Sequence, residues 1–239
     1  MIDNSNPNYF SALWALVFIF LTLNLFPIPF AILISFFGDW VYSNPVIVDM
    51  NYLGQIKMHP IADNLTSIIS MIFVVAFIVW RMKVRNLPLR ELGSLQLKRK
   101  DLLYGTAFLA LFVLLEECYM LILGLEMPEG FITFMLSEPL ILGLLSVIVI
   151  APIAEEFIFR GFLHSQLSRT NLGQWGAVTL SSILWTAIHF QYEALILVVL
   201  FGFGLFLGYV RIAYNSLSLP IALHAINNSF AFLMAYYFY

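Results

Sequence analysis

Charge is what this sequence has least of. Only 10% of its 239 residues are Asp, Glu, Lys or Arg, against about a quarter in an ordinary soluble domain. That scarcity excludes a nucleic-acid binder, which needs a dense basic surface, and a disordered chain, which needs polarity. A single cysteine, Cys118, allows no internal disulfide, so a disulfide scaffold is excluded and the redox compartment is not readable. Internal repeats, low-complexity segments and a soluble domain are missing as well. What fills the chain is apolar: 62% of residues are hydrophobic and the mean hydropathy is +0.92. A soluble domain of this size has no way to hide that much apolar surface from water.

A bilayer core of about 30 Å needs about 20 apolar residues as a helix. Seven stretches qualify, at roughly Tyr9–Gly38, Ile61–Trp80, Leu102–Leu125, Pro139–Leu167, Trp175–Phe190, Ala194–Arg211 and Leu217–Tyr239. The first contains Pro27 and Pro29 and reads as one kinked helix or a helix plus a re-entrant turn. It lacks the basic flank and cleavage pattern of a signal peptide. The expected fold is all-α: a single polytopic membrane domain over residues 1–239 with about seven transmembrane helices.

The net charge of −3 decides nothing, but its distribution does. Seven of the eleven basic residues fall between the second and third stretches: Arg81, Lys83, Arg85, Arg90, Lys98, Arg99 and Lys100. The positive-inside rule makes that segment cytoplasmic. Alternation puts Arg169 and Arg211 on the same side, with only Lys57 outside, and the opposite loop carries Glu126, Glu129 and Glu138. The expectation is a plasma (inner) membrane protein with a cytoplasmic N-terminus and an external C-terminus. Trp40, Trp80, Trp175, Tyr236, Tyr237 and Tyr239 stand at span ends, as an aromatic belt requires. Leu87–Leu97 mixes apolar and charged residues and reads as a surface segment against the headgroups. Gly204 and Gly208, with Gly202 nearby, predict close approach of another helix.

Ionisable groups inside a span cost about 2.5–3.5 kcal/mol each on insertion scales, so each asks for a reason. The fourth stretch holds Glu155, Glu156 and Arg160. Glu156 and Arg160 are four apart and can pair on one helix face. Glu155 points about 100° away and is free to face something else. Pro152 cannot donate to the carbonyl of Ile148, so the helix is expected to open locally there. His189 ends the fifth stretch. His224 and Asn228, four apart after Pro220, share a face of the last one. Glu116 and Glu117 form a rival cluster in the third stretch; they line a water-filled groove, pair with Arg160 or carry a proton. His164 and His59 read as solvated or interfacial.

The order Glu155-Glu156-xxx-Arg160, then Trp185-xxx-His189, then His224-xxx-Asn228, each on its own span, resembles the CAAX-protease and bacteriocin-processing (CPBP, or Abi) family of intramembrane proteases. The Phe-Arg-Gly-Phe-Leu continuation is similar too. The likeness covers about Leu140–Asn228, with a family-like catalytic core at about 139–239. One departure is visible: the second motif usually begins with phenylalanine, and Trp185 here reads as packing. The resemblance implies a helical core whose catalytic groups meet in a conical cavity open to the cytosol. It also implies a peptide or lipidated protein substrate, with membrane lipid as the surroundings.

Peptide hydrolysis needs an activated water and a stabilised oxyanion. No serine or cysteine in these motifs is partnered with a base, which argues against a covalent nucleophile. The residues then read as follows: Glu155 as general base, His189 orienting the water, His224 and Asn228 donating to the oxyanion, Glu156 and Arg160 supporting. A zinc alternative would use Glu155, His189 and His224 as ligands with water in the fourth position. It lacks a separate base unless Glu156 leaves Arg160, and the reading favours no cofactor. A non-enzyme, either a transporter or an idle binding or immunity protein, is the other class. The absence of repeats speaks against the transporter, and the presence of every motif residue speaks against the idle protein.

Overall fold

The computed structural model describes residues 49–50, 56–57, 60–136 and 140–239. The stretch Tyr9–Gly38, Trp40, His59 and Glu138 lie outside the described residues. Two-residue strands β1 (Asp49–Met50) and β2 (Ile56–Lys57) pair antiparallel. The rest is helical, because in lipid every backbone donor and acceptor needs a partner within the segment. The helices are α1 (Pro60–Val84), α2 (Arg99–Leu123), α3 (Glu129–Met135), α4 (Leu140–Leu167), α5 (Gly173–Ala187), α6 (Ala194–Ala213) and α7 (Ser218–Phe238).

Among the described residues, five helices are long and apolar enough to cross a membrane: α1 (from Asn64), α2, α4, α6 and α7. The chain is an integral membrane protein. The expected count of seven therefore stands at five within the described residues. Helix α5 is one reason: its 15 residues reach about 22 Å at 1.5 Å each, short of the hydrocarbon core. Helix α3 has no counterpart in the hydropathy pattern, since seven residues are too few to register as a span.

Chain reversals sort the helix ends into two faces. The basic segment, the end of α4 and the α6–α7 connection meet at one face. There Arg169 pairs with Glu91, and the Leu217 N–H donates to the Ser94 carbonyl at 2.9 Å. The Arg211 Nε–H donates to the Leu92 carbonyl at 3.1 Å and to the Arg160 carbonyl at 3.2 Å. The segment Leu87–Leu97 is thus stitched to the bundle rather than simply laid on headgroups, and Leu92 is buried. Gly93 makes this possible. Its φ of 115° suits glycine, and a Cβ there would stand 2.8 Å from the Arg211 guanidinium carbon.

The small residues of α6 act as expected from their spacing. A Cβ on Gly208 would meet Val178 at 2.6 Å, and one on Gly204 would meet Ser182 at 3.0 Å, so α5 lies directly against α6. The buried core runs through Val74, Ile158, Trp185, Phe203, Leu207 and Leu223. His164 departs from its expected interfacial setting: it is 3% exposed, inside the bundle end. Trp80 and Trp175 are exposed at helix ends, and so are Tyr236, Tyr237 and Tyr239.

Candidate active site

The glutamate helix is irregular on both sides of the two carboxylates. Leu145–Ile150 and Phe157–Leu163 are π-helical, and Ala151–Glu156 between them is α-helical. In the first π turn the Ala151 N–H donates to the Ser146 carbonyl. By the same five-residue register the Val147 carbonyl would need a donor from Pro152, which has none. Asn228 supplies it: its Nδ2 donates to the Val147 carbonyl at 2.8 Å. The opening expected at Ile148 is therefore shifted one residue back, and α7 closes it. Asn228→Ala should leave that carbonyl unsatisfied and cost about 1–3 kcal/mol. Thermal unfolding in detergent checks this; an unchanged midpoint would mean water replaces the amide without loss.

Glu156 and Arg160 are both fully buried and pair at 3.0 Å, Arg160 Nη1 donating to Glu156 Oε1. Arg160 Nη2 donates to the Gly204 carbonyl at 3.1 Å, which ties α4 to α6. Glu156 Oε1 also lies 3.0 Å from His224 Nδ1. That contact was not readable from the sequence, because helical spacing reports neighbours on one helix and not across two. It fixes the ring of His224 and turns Nε2 the other way, to 4.0 Å from Glu155 Oε2. Glu156 is thus more than a counter-ion for Arg160: it also orients His224.

Glu155 points away from Glu156, as the 100° step requires. Its Oε2 accepts a hydrogen bond from the Trp185 indole at 2.5 Å. Trp185 is therefore no mere packing residue, contrary to the sequence reading. A tryptophan in an apolar run gives no sign of its polar edge until its neighbours are known. Its ring also lies 4.9 Å from that of His189, whose Nδ1 sits 2.9 Å from the Trp185 carbonyl.

Glu155, His189, His224 and Asn228 all line one cavity of about 600 Å³, together with Trp185. With the rest of its lining, residues of all seven described helices and of the α2–α3 and α5–α6 connections contribute to it. Glu116 and Glu117 stand in its wall, which answers their position; Arg160 is engaged by Glu156 instead. Tyr192 lines it beside His189, their rings 6.0 Å apart. Burial pushes the Tyr192 phenol up to about 12 and the Glu155 charge adds to this, while a hydrogen bond with the Gln191 side chain opposes it. Tyr192 thus keeps its O–H as a donor through the working pH range.

The cavity also has a direction. From the buried cluster its wall continues through Leu125, Met127, Phe131, Gln191 and Tyr239. These residues belong to the face opposite the basic segment.

The three residues a zinc ion would use do not assemble as a ligand set. Among the described residues, no three His, Cys, Asp or Glu side chains gather closely enough to hold a metal ion.

Comparison with known proteins agrees with the motif order. Residues 137–230 match the family model described as "Type II CAAX prenyl endopeptidase Rce1-like". An uncharacterized 24.3 kDa protein of Escherichia coli is 32% identical over 161 residues, 64% of this chain and 71% of that protein. No solved structure matches the chain. The matched segment runs from the start of α4 to just past Asn228, so it contains every residue of the buried cluster, and the chain belongs to the Rce1-like family of CAAX-protease-type intramembrane endopeptidases.

Proposed function

We propose that the protein hydrolyses a peptide bond of a membrane-associated peptide or prenylated protein with a water activated by Glu155. The observation that carries the reading is the pairing across the cavity of two differently held groups. Glu155 Oε2 faces His224 Nε2 at 4.0 Å, and His224 is backed by the buried Glu156–Arg160 pair. A water between a carboxylate and an imidazole can lose its proton to the first while the second donates to developing negative charge.

In the reaction, one O–H bond of the water breaks and its proton goes to Glu155. The water oxygen bonds the scissile carbonyl carbon, and the carbonyl oxygen takes up the negative charge. His224, carrying a proton on each ring nitrogen with Nδ1–H held by Glu156, donates Nε2–H to that oxyanion beside the second N–H of Asn228, and His189 orients the water. Collapse expels the amine, which takes the proton from Glu155. No serine, cysteine or metal is needed for these steps. Chelation with EDTA or phenanthroline should leave turnover unchanged. A tenfold loss restored by added zinc would put a metal into the mechanism.

The charge asymmetry favours a cytoplasmic basic segment; with the cavity wall running toward the far helix ends, this reading puts the cavity mouth and the C-terminus at the external face of the inner membrane. Single cysteines at positions 90 and 127, in a chain with Cys118 replaced by serine, should label from opposite sides in intact cells. Position 127 should label from outside. Ready external labelling of position 90 would reverse the orientation and bring the mouth to the cytosol.

The experiment for the activity itself uses purified chain in detergent and a quenched fluorescent peptide ending in a farnesylated CAAX sequence. Cleavage by the native chain is expected. A transporter or an idle binding protein of this fold would release no fragment.

A further inference from the structure

We propose that Trp185 is a positioning residue for the general base, and that the reaction uses its indole N–H rather than its bulk. The inference rests on Glu155 being the base, as set out above.

Trp185 is 2% exposed and held on every side. The Arg160 guanidinium lies over its ring at 5.0 Å, Phe203 packs at 6.1 Å and His224 meets it edge-on at 5.7 Å. Its own carbonyl lies against His189 Nδ1. A ring so enclosed has one orientation, so its N–H points in one direction. Glutamate is the opposite, a three-torsion side chain that needs external contacts to define its carboxylate plane. The 2.5 Å bond from Nε1 to Oε2 supplies one.

The chemistry of the donor adds a second consequence. An indole nitrogen only donates. An oxygen that accepts from it has one of its two lone pairs engaged and a fixed direction for the other. The bond therefore anchors Oε2 on its Trp185 side and leaves its other lone pair turned toward His224 Nε2, where the water is activated. Phenylalanine, the usual first residue of this motif, would fill similar space and lack the donor. The anchoring is then a property this chain adds to the shared site.

Two substitutions isolate the N–H. Trp185→Phe removes it with part of the ring. Trp185→benzothienylalanine, introduced by stop-codon suppression, keeps the shape and puts sulfur in place of N–H. Ultraviolet resonance Raman spectroscopy reads the bond directly, with the Trp185 band isolated by subtracting the Trp185→Phe spectrum. Its indole N–H marker should report strong hydrogen bonding in the native chain and weaker bonding in Glu155→Gln, whose amide oxygen is a poorer acceptor than a carboxylate. A marker typical of a free indole, or one that ignores Glu155→Gln, would overturn the contact. This arm needs no substrate, so it stands or falls apart from the activity.

With the farnesylated CAAX peptide as probe, both variants should lose roughly ten- to hundredfold in kcat, the range for groups that orient a reacting side chain. KM and the thermal midpoint should change little. Native kcat in the benzothienylalanine variant, with Glu155→Gln inactive, would overturn the positioning role and leave the endopeptidase reading intact. Equal turnover by the native chain and Glu155→Gln would overturn both.

Discussion

Glu155→Gln is expected to abolish proteolysis while leaving the protein folded. Glutamine keeps the length of the side chain and an oxygen that accepts from the Trp185 indole, so the local hydrogen bonding survives. It cannot take a proton from water at neutral pH. General base catalysis contributes roughly 10²–10⁴-fold, and the loss should fall in kcat, with KM nearly unchanged because the carboxylate does not hold the substrate. The thermal midpoint in detergent should not fall. It could rise, since a half-buried charge is replaced by a neutral group. A glutamine variant within tenfold of native turnover would remove Glu155 from the role of base and shift attention to Glu116 and Glu117, the other carboxylates in the same wall.

Arg160→Ala is expected to damage folding first and chemistry second. Arg160 and Glu156 are both at 0% exposure and 3.0 Å apart, and Glu156 Oε2 and Arg160 Nε have no hydrogen-bond partner among the described residues. Once the guanidinium is gone, His224 Nδ1 is the donor left on Glu156 among the described residues. Removing one member of a buried pair costs on the order of 3–5 kcal/mol, because the other stays uncompensated. Three further contacts would go with it: the Gly204 carbonyl between α4 and α6, the face of Trp185 and the orientation of Glu156 toward His224.

The double change Glu156→Gln with Arg160→Met leaves no charge unpaired, so stability should return. Activity should return only in part, since a neutral amide orients His224 less strongly than a carboxylate does. Thermal unfolding and turnover measured on both single variants and the double separate the two effects. If Arg160→Ala is as stable as the native chain yet inactive, Arg160 acts on the substrate or the reaction and not through the pair.

The path from sequence to this site was open where one helix carries the whole relation. The Glu156–Arg160 pair, the divergence of Glu155 and the shared face of His224 and Asn228 all follow from a rise of 1.5 Å and 3.6 residues per turn. The helix ends at α1, α2, α6 and α7 followed from hydropathy to within a few residues, because lipid admits only segments that satisfy their own backbone. The proline in α4 announced a broken ladder.

What stayed hidden are relations between helices. Nothing in the apolar run around Trp185 says that its N–H meets a carboxylate thirty residues earlier. Glu156 bridging to His224 needs α4 and α7 side by side, and hydropathy does not give neighbours. His164 looked interfacial because it stands near the end of a span; it is buried there, with Gln174 of α5 and Arg211 of α6 beside it.

The most direct measurement is mass spectrometry of a farnesylated CAAX peptide incubated with purified chain in detergent, run with the native protein, with Glu155→Gln, and with the native protein under EDTA. The account predicts one new C-terminus and its released fragment in the first and third samples and intact peptide in the second. Intact peptide throughout, or the same fragment from Glu155→Gln, would contradict it.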